Sequence, residues 1–281
     1  MQFKLGLSFL CCYIAVISAQ APSCPLDGIS CSLPSTPSSN TCCAPSYGLI
    51  VFAQQWLTKQ GPPKSFTIHG LWPNSCNGSY APSTGCDPSR KYSNVGKIVE
   101  QQNTTLYQEM NTYWVSYNGD NSGFWTHEWD KHGTCVTTLA PQCYGNTYRK
   151  YQEMMDYFET VIQLRQQYNI YSALNSAGIT PGKSYQRQDM INAVKKSLNV
   201  DPWFHCKNGT LEEVWIYLNV KGRNQYVPAQ KYRGSSQCPT TIQYPAKQGD
   251  QPSESAVTLS FHIAVPIVMM FGMIVSYTTF I

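Results

Sequence analysis

The sequence predicts an α+β fold with a mainly antiparallel central sheet, flanked by helices and stapled by about five disulfides. Strand-like and helix-like segments follow one another without a regular βαβ alternation, which disfavours a parallel sheet. The chain has 281 residues, enough for one large domain or two small ones. Ten of its twelve cysteines lie beyond the first 19 residues, and an even number in an exported chain indicates disulfide pairing.

The first 19 residues have the pattern of a secretory signal peptide. Lys4 provides a positive start, residues 5–16 form an apolar run, and Ala19 and Ala21 frame a small-x-small cleavage pattern. Cleavage after Ala19 and cleavage after Ala21 both fit this pattern. The apolar run is short of the roughly 20 residues that span a bilayer, so a membrane anchor is disfavoured. We therefore expect the folded domain to comprise residues 20–246.

Composition and periodicity assign the segments of this domain in chain order. Residues 22–41 are rich in Ser, Pro and Cys, which indicates an irregular start. β-Branched and aromatic runs predict strands, alternation of apolar and polar residues predicts a half-buried strand, and helical periodicity predicts amphipathic helices. Strands are expected at 47–56, at 66–71 (ended by Trp72-Pro73-Asn74) and at 211–220, a loop at 74–92, and helices at 104–117, 125–132, 148–168 and 189–197.

Residues 247–281 differ in kind from the rest of the chain. Residues 247–256 form a polar spacer, and residues 257–281 are almost wholly apolar. Small residues, a spacer and a terminal apolar tail are the pattern of a lipid-anchor signal, with Ser253 as the attachment site and Ser255 as its second neighbour. A true tail anchor and a plain hydrophobic extension are the alternatives.

Composition restricts how the protein can bind a polyanion. Charged residues make up 13% of the chain, and the net charge is only +4. A broad basic surface that binds nucleic acid by counterion release is therefore excluded. A small cationic site with aromatic faces for stacking remains compatible with binding of single strands. Three sequons, at Asn77, Asn103 and Asn208, predict glycosylation and agree with export.

Histidines are few, so their positions are informative. Three of the five lie in two motifs rich in Trp and Gly, residues 66–73 (FTIHGLWP) and residues 127–135 (HEWDKHGTC). A single His is more often structural than catalytic, but three beside a Glu and a Lys favour a functional site. If residues 127–132 are helical, His127 stacks with Lys131 and Glu128 stacks with His132. One helix face then carries two imidazoles, one ammonium and one carboxylate.

Other hydrolase chemistries fit this pattern poorly. A zinc helix needs two histidines four residues apart, whereas His127 and His132 are five apart, which turns the second ring by about 140°. The cysteines form no Cys-x-x-Cys pair, which disfavours a structural zinc site. The sequence also lacks a Gly-x-Ser-x-Gly elbow and a Gly-rich phosphate loop. The sequence therefore predicts neither a metal site nor a cofactor.

Histidines and a lysine can perform acid–base chemistry without a metal. They move protons near neutral pH and stabilise an anion. Cleavage of RNA needs these functions, because a base removes the ribose 2′-hydroxyl proton, the oxygen attacks phosphorus, and an acid protonates the departing 5′-oxygen. Two histidines in opposite protonation states and a lysine suffice, but the motifs do not decide which histidine is the base.

Both motifs resemble the active-site segments of the T-two family of secreted acid ribonucleases, in particular its fungal extracellular members. The matching segments are residues 68–73 (IHGLWP) and 124–135 (FWTHEWDKHGTC), and the resemblance covers about residues 24–245. It implies an endoribonuclease that cleaves single-stranded RNA through 2′,3′-cyclic phosphates to 3′-phosphate ends. Low base specificity and an acidic pH optimum are also expected.

The resemblance implies a role for each residue of the site. His132 is the expected general base, His69 the expected general acid, and His127 the expected phosphate ligand. Glu128 and Lys131 are expected to stabilise the transition state, with Glu128 also orienting its neighbours.

The resemblance assigns base recognition to four further residues. Trp72 and Tyr80 are expected to stack on a base, with core packing as the alternative role, and Phe124 is expected to shape the pocket of the second nucleotide. Asn74 stands where some fungal members carry Asp. Because an amide both donates and accepts whereas a carboxylate only accepts, the adenine preference associated with that Asp does not transfer directly.

The fungal members also imply how the ten cysteines pair. The expected disulfides are Cys24–Cys43, Cys31–Cys76, Cys42–Cys143, Cys86–Cys135 and Cys206–Cys238.

Two hypotheses remain beside the enzymatic one. The first is a catalytically silent, surface-held RNA-binding or cytotoxic protein on the same fold, although the catalytic residues are intact. The second is a zinc hydrolase, which predicts loss of activity with a chelator. We expect a monomer that binds single-stranded RNA and is secreted, or held at the cell surface by its C-terminal tail. A vacuolar location is the alternative.

Overall fold

A central sheet is the scaffold of the described chain. This computed structural model describes residues 20–25, 27–32, 40–229 and 237–248, and seven strands occur among them. The predicted signal peptide (1–19) and apolar tail (257–281) lie outside the described residues. Within the described part, no helix has the length and apolar character needed to cross a membrane.

Five strands form the main path of the sheet, in the order β2-β1-β5-β7-β3, and β4 and β6 also pair with β5. The bounds are β1 Leu49–Gln55, β2 Thr67–Asn74, β3 Lys183–Gln186, β4 Pro202–Lys207, β5 Thr210–Lys221, β6 Gln225–Pro228 and β7 Thr241–Tyr244. The pairs β1–β2, β1–β5, β3–β7, β4–β5 and β5–β6 are antiparallel. Strands β5 and β7 are parallel where Thr210 pairs with Gln243. The predicted α+β class is confirmed, and the sheet is mixed rather than purely antiparallel.

Strand β2 runs further than the sequence predicted. The prediction ended this strand at Leu71, but the structure continues it through Pro73, which pairs with Ile50 of β1. A proline lacks the N–H that a central strand would need, so it is tolerated mainly at a sheet edge. Since β2 is the terminal strand of the sheet path, Pro73 breaks no second ladder.

Six α-helices occur among the described residues, and four of them were predicted. Their bounds are α1 Val95–Gln102, α2 Thr104–Tyr113, α3 Asn121–Lys131, α4 Gln152–Gln167, α5 Ile170–Ser176 and α6 Arg187–Leu198. The helix predicted over 125–132 begins earlier, because the Asp120 side chain caps it by accepting a hydrogen bond from the Gly123 N–H at 2.8 Å. The unpredicted elements α1, α5, β3, β4, β6 and β7 have eight residues or fewer, too few for a clear periodicity.

The two faces of the sheet are packed differently. One face carries Ile50, Phe52 and Ile216, which belong to the main core together with residues of α2, α3 and α4. The opposite face carries a small buried cluster of Leu49, Val51 and Tyr217, against which half-buried tryptophans pack. Strand β1 is therefore buried on both sides. A histidine or carboxylate on the second face can reach solvent, whereas one on the first face could not.

Five disulfides join the described residues. They link Cys24 to Cys43, Cys31 to Cys76, Cys42 to Cys143, Cys86 to Cys135, and Cys206 to Cys238, the same pairs that the resemblance implies. The Cys86–Cys135 bond ties the loop after β2 to the turn that follows α3. At that contact Gly85 lies so close to the backbone of Asp130 that a side chain would collide with it.

The three sequon asparagines have different surroundings. Asn77 and Asn208 are exposed. Asn103 is half-buried and caps α2, because its side chain accepts a hydrogen bond from the Leu106 N–H and donates one to Glu159. The amide nitrogen that would carry a glycan at Asn103 is thus already used in the fold, whereas Asn77 and Asn208 are accessible.

Candidate active site

Strand β2 and helix α3 line a cavity of about 440 Å³ at the β2 edge of the sheet. All five predicted catalytic residues and three of the four predicted base-binding residues line it. The lining residues are His69, Trp72, Pro73, Asn74, Tyr80, Ala81, Ser83, His127, Glu128, Lys131 and His132. The two motifs, more than fifty positions apart in the chain, therefore meet at one place.

A glycine allows α3 to approach β2 closely. A side chain at Gly70 would collide with the carboxylate of Glu128 and with the indole nitrogen of Trp72. The Gly in the first motif is thus required by the position of the Glu in the second. The residue type was visible in the sequence, but its reason lies in a contact between two separate elements.

Glu128 is the buried carboxyl of the site. It is 2% exposed, and its Oε2 accepts a hydrogen bond from the Trp72 indole N–H at 2.9 Å. Burial raises the pKa of Glu128 to about 7, against the lowering effects of His69, of the Trp72 hydrogen bond and of Lys131. Below neutral pH this group is therefore a neutral carboxylic acid that can donate a hydrogen bond.

His69 occupies a β-bulge and contacts a carboxylate from another strand. Its Nδ1 lies 2.6 Å from Oε1 of Glu213 on β5, and its backbone carbonyl accepts a hydrogen bond from the Trp114 indole at 2.9 Å. Burial by itself lowers the pKa of His69. The hydrogen bond and charge of Glu213 and the charge of Glu128 outweigh that effect, so the pKa is raised overall.

His132 has the opposite electrostatic environment. It follows α3 directly, and its backbone N–H donates to the Glu128 carbonyl at 3.0 Å. Burial, followed by the charges of Lys131, His127 and His69, lowers the pKa of His132 to about 3. Its ring lies 6.5 Å from that of His127. The pKa of His127 is also lowered, by burial, by Lys131 and by His69.

The predicted base-binding residues are distributed around the mouth of the cavity. The Trp72 ring lies 5.5 Å from the His132 ring and 4.9 Å from the His69 ring. Asn74 is buried and its backbone pairs with that of Tyr80, a residue that is 71% exposed. Phe124 does not line the cavity, although its ring lies 5.9 Å from that of His69.

The sequence interpretation missed the carboxylate of Glu213 and the indole of Trp215. Trp215 donates a hydrogen bond to Glu213 at 2.5 Å and packs edge-on against Trp72, with ring centroids 5.3 Å apart. The alternation in residues 211–220 correctly predicted a strand. It contained no signal for the neighbour of that strand, so the contact with His69 could not be inferred. Among the described residues, no cluster of three or more His, Cys, Asp and Glu side chains is suited to hold a metal ion.

Comparison with known proteins decides the family. The model of the Ribonuclease T2 family matches residues 40–236 of the chain. The chain belongs to this family. The ribonuclease is 43% identical over 230 residues to Ribonuclease Rh of Rhizopus niveus, a match that covers 82% of this chain and 95% of that relative. It is 38% identical over 246 residues to Ribonuclease T2 of Aspergillus oryzae, covering 84% of this chain and 88% of the relative.

The fold of this ribonuclease agrees with its family. The solved structure of the T2 ribonuclease Actibind superimposes with a TM-score of 0.75 at 36% identity, over 82% of this chain and all of Actibind. The predicted family resemblance is confirmed, and the protein is an endoribonuclease of the T2 type.

Proposed function

We propose that this endoribonuclease is secreted and cleaves single-stranded RNA by metal-independent transesterification, with His132 as general base and His69 as general acid. The observation that carries this assignment is that two histidines of one cavity have environments that shift their pKa values in opposite directions. The pKa of His69 is raised by Glu213, whereas burial and neighbouring cations lower the pKa of His132. Groups whose environments separate their pKa values in this way are suited to opposite proton-transfer roles.

The first step forms a cyclic phosphate. Neutral His132 accepts the proton of the ribose 2′-hydroxyl, and the 2′-oxygen forms a bond to phosphorus. The bond from phosphorus to the 5′-oxygen breaks, and that oxygen takes the proton from Nε2 of His69. The products are a 2′,3′-cyclic phosphate and a free 5′-hydroxyl.

The second step reverses the two proton transfers. His69, now neutral, accepts a proton from water, whose oxygen attacks the cyclic phosphate. The bond from phosphorus to the 2′-oxygen breaks, and His132 returns a proton to that oxygen. A 3′-phosphate end results, and both histidines regain their initial states.

The remaining residues of α3 stabilise the charge on the phosphorane oxygens. Lys131 lines the cavity with its amino group, and His127 contributes a second hydrogen-bond donor. Below pH 7 the neutral carboxyl of Glu128 donates a further hydrogen bond, in line with its pKa of about 7. An acidic optimum follows, because His69 and Glu128 must be protonated while His132 must not.

The site provides its cations without a metal ion. A divalent ion among His127, His132 and His69 would also lie close to the ammonium of Lys131, which repels it. The five-residue spacing of His127 and His132 adds to this argument. Catalysis in excess chelator is therefore expected, and no cofactor is needed.

Base binding involves aromatic faces rather than a dense set of polar groups. Trp72 and Tyr80 are suited to stack on an unpaired base, which supports action on single strands and low base specificity. Asn74 lies on the same cavity with an amide that can both donate and accept. Phe124, beside His69, is assigned to the second nucleotide.

Secretion is supported by the pattern of the first 19 residues and by the disulfides, which form in oxidising compartments. A monomer with residues 20–246 as catalytic domain is proposed. Residues 247–281 would serve as spacer and lipid-anchor signal, which would hold the enzyme at the cell surface. A vacuolar location remains the alternative.

The test is the rate of cleavage of single-stranded RNA between pH 4 and 8 in excess EDTA, for the wild type and a His132→Phe variant. We expect activity that survives EDTA and falls by a factor of about 10² to 10⁴ in the variant. Loss of wild-type activity in EDTA would contradict the metal-free mechanism. An inactive wild type would leave RNA binding as the function. Circular dichroism confirms that the variant is folded.

A further inference from the structure

A second carboxylate enters the site from β5 and contacts Nδ1 of His69. We propose that Glu213 is a positioning residue, which holds His69 by its Nδ1 in the tautomer and charge state of a general acid. This inference rests on the proposed function of His69. It adds a member to the catalytic machinery that neither motif contains.

The strand register explains how a residue of β5 reaches a residue of β2 across β1. Gln55 of β1 pairs with Thr67 on one side and with Glu213 on the other. Two positions along, Ala53 pairs with Gly70 and with Trp215. Gly70 and Ala53 have the smallest side chains available, so the His69 ring can lie over β1. The bulge at Ala53 and Gln54 supplies the extra residue, His69, that turns toward β5.

The atoms of the contact define the tautomer. Oε1 of Glu213 lies 2.6 Å from Nδ1 of His69, and Oε2 accepts the Trp215 indole N–H at 2.5 Å. An ionised carboxylate only accepts hydrogen bonds, so Nδ1 of His69 must be the donor. The proton that can be transferred then resides on Nε2. After transfer, the neutral ring keeps its Nδ1 proton and presents a free lone pair at Nε2, as the second step needs.

Of the two carboxyl groups near His69, only Glu213 keeps its charge under acidic conditions. The groups that face His69 are Glu213 from β5 and Glu128, Lys131, His127 and His132 from the α3 side. The pKa of Glu128 is about 7, so this group is neutral at acidic pH. Burial tends to raise the pKa of Glu213, but the hydrogen bond and charge of His69, with the help of Trp215, lower it overall. Glu213 is therefore the anion that offsets the charge of protonated His69 when the enzyme works.

The carboxylate is itself held in place. The Trp215 ring lies 4.8 Å from the Trp203 ring and 5.3 Å from the Trp72 ring, and it stacks on His205 at 6.0 Å. Because these three rings fix the orientation of the Trp215 indole, its N–H points toward Glu213. The two carboxyl groups of the site thus each accept one indole N–H, Glu128 from Trp72 and Glu213 from Trp215.

The decisive variant is Glu213→Gln in the full chain. The amide offers one acceptor oxygen and one NH₂ group, so the NH₂ group must face either the Trp215 N–H or the His69 Nδ1–H, and two donors then meet. The relief is the other tautomer of His69, with its proton on Nε2 and a bare Nδ1. We expect kcat on a dinucleoside phosphate to fall by roughly ten- to a hundredfold at the pH optimum, with KM changed less than kcat. The high-pH limb of the pH profile, which reports the general acid, should move to lower pH.

Two further variants separate a catalytic effect from a structural one. Glu212→Gln makes the same change at the adjacent position, whose side chain contacts His205 at 3.8 Å rather than His69. This control should leave the pH profile unchanged. Glu213→Asp keeps the charge on a shorter side chain. It should restore the position of the high-pH limb, which reports the general acid, even if kcat is lower. A merely structural role would not predict this recovery.

Titration of the His69 ring by nuclear magnetic resonance gives a readout that does not depend on activity, with the signal assigned by its loss in His69→Phe. A wild-type pKa for His69 at or below 6.5 would overturn the proposal, even if Glu213→Gln fails to fold. So would an unchanged His69 titration in a folded Glu213→Gln. If His69→Phe retains full activity, the proposed acid role fails instead, while the titration still reports whether Glu213 controls the ring.

Discussion

The indole N–H of Trp72 donates a hydrogen bond to Oε2 of Glu128 across 2.9 Å, and so joins the β2 wall of the cavity to helix α3. Trp72 belongs to the edge strand β2 and Glu128 to α3, so this bond fixes the position of the helix relative to the strand. The same indole packs against His69, His132 and Trp215. A substitution at Trp72 is therefore expected to alter chemistry as well as binding.

Trp72→Phe tests this coupling. The ring remains for stacking, but Glu128 loses a hydrogen-bond donor in a buried place, at a cost of about 1–3 kcal/mol for an unsatisfied acceptor. We expect kcat/KM on RNA to fall by about tenfold or more, with a clear decrease in kcat. Trp56→Phe is the control, since it also removes an indole N–H donor, here to the Pro245 carbonyl at 2.8 Å, and Trp56 does not line the cavity. Equal effects of the two variants would contradict the coupling.

Glu128→Gln tests the burial of that carboxyl through stability. The pKa of Glu128 is raised from 4.5 to about 7 in the fold. A carboxyl that binds its proton more tightly when folded contributes stability below pH 4.5, and this contribution is lost as the pH rises through 7. Relative to the Gln variant, the wild type should lose about 3 kcal/mol in free energy of unfolding between pH 4 and 8.

Urea denaturation at a series of pH values measures this difference. The control is Glu100→Gln, an exposed carboxyl on α1. This variant should not reproduce the loss of about 3 kcal/mol. Parallel stability curves for the wild type and Glu128→Gln would show that Glu128 ionises normally, and the role of a neutral carboxyl in catalysis would then be wrong.

Lys131→Met tests the charge that holds His132 neutral. After burial, Lys131 is the largest cause of the lowered pKa of His132. Removal of the ammonium raises that pKa, and a general base works only while it is unprotonated. The acidic limb of kcat/KM should therefore move to higher pH, together with a lower maximal rate from the lost phosphate contact. Lys97→Met, at an exposed position of α1, is the matched control and should leave the profile in place.

The Cys86–Cys135 disulfide is predicted to support substrate binding as well as stability. It closes a loop of 49 residues and ties the segment that carries Tyr80 to the end of α3. Replacement of both cysteines by serine should lower the free energy of unfolding by about 4 kcal/mol and raise KM more than it lowers kcat. Steady-state kinetics on a dinucleoside phosphate and thermal unfolding measure the two effects.

The Cys206–Cys238 disulfide is the control for that experiment. It closes a loop of 32 residues that starts at Cys206 of β4, and neither cysteine lines the cavity. Its replacement should cost a similar free energy of unfolding but leave KM unchanged. An equal rise of KM in both double variants would mean that lost stability, rather than the loop beside Tyr80, accounts for the weaker binding.

Local sequence was sufficient for one half of the site. Helical geometry alone put His127, Glu128, Lys131 and His132 on one face, and in the structure all four line one cavity. Alternation also predicted β5, and the β-branched run predicted β1. These features repeat within a few residues, so they need no knowledge of neighbouring elements. The family motifs then implied the roles and the disulfides.

By itself the sequence determined the class of fold and the candidate residues of the site, namely three histidines, one lysine, one glutamate and a set of aromatic rings. Only the tertiary structure decided which strand lies beside which. It placed Glu213 against His69, put Glu128 out of reach of water, and used the amide of Asn103 as a helix cap. Strand order and register depend on contacts between distant segments, and a pKa depends on burial and on charges brought together by those contacts. Neither quantity is present in any short stretch of the chain, so the electrostatic difference between His69 and His132 appears only when the chain is folded.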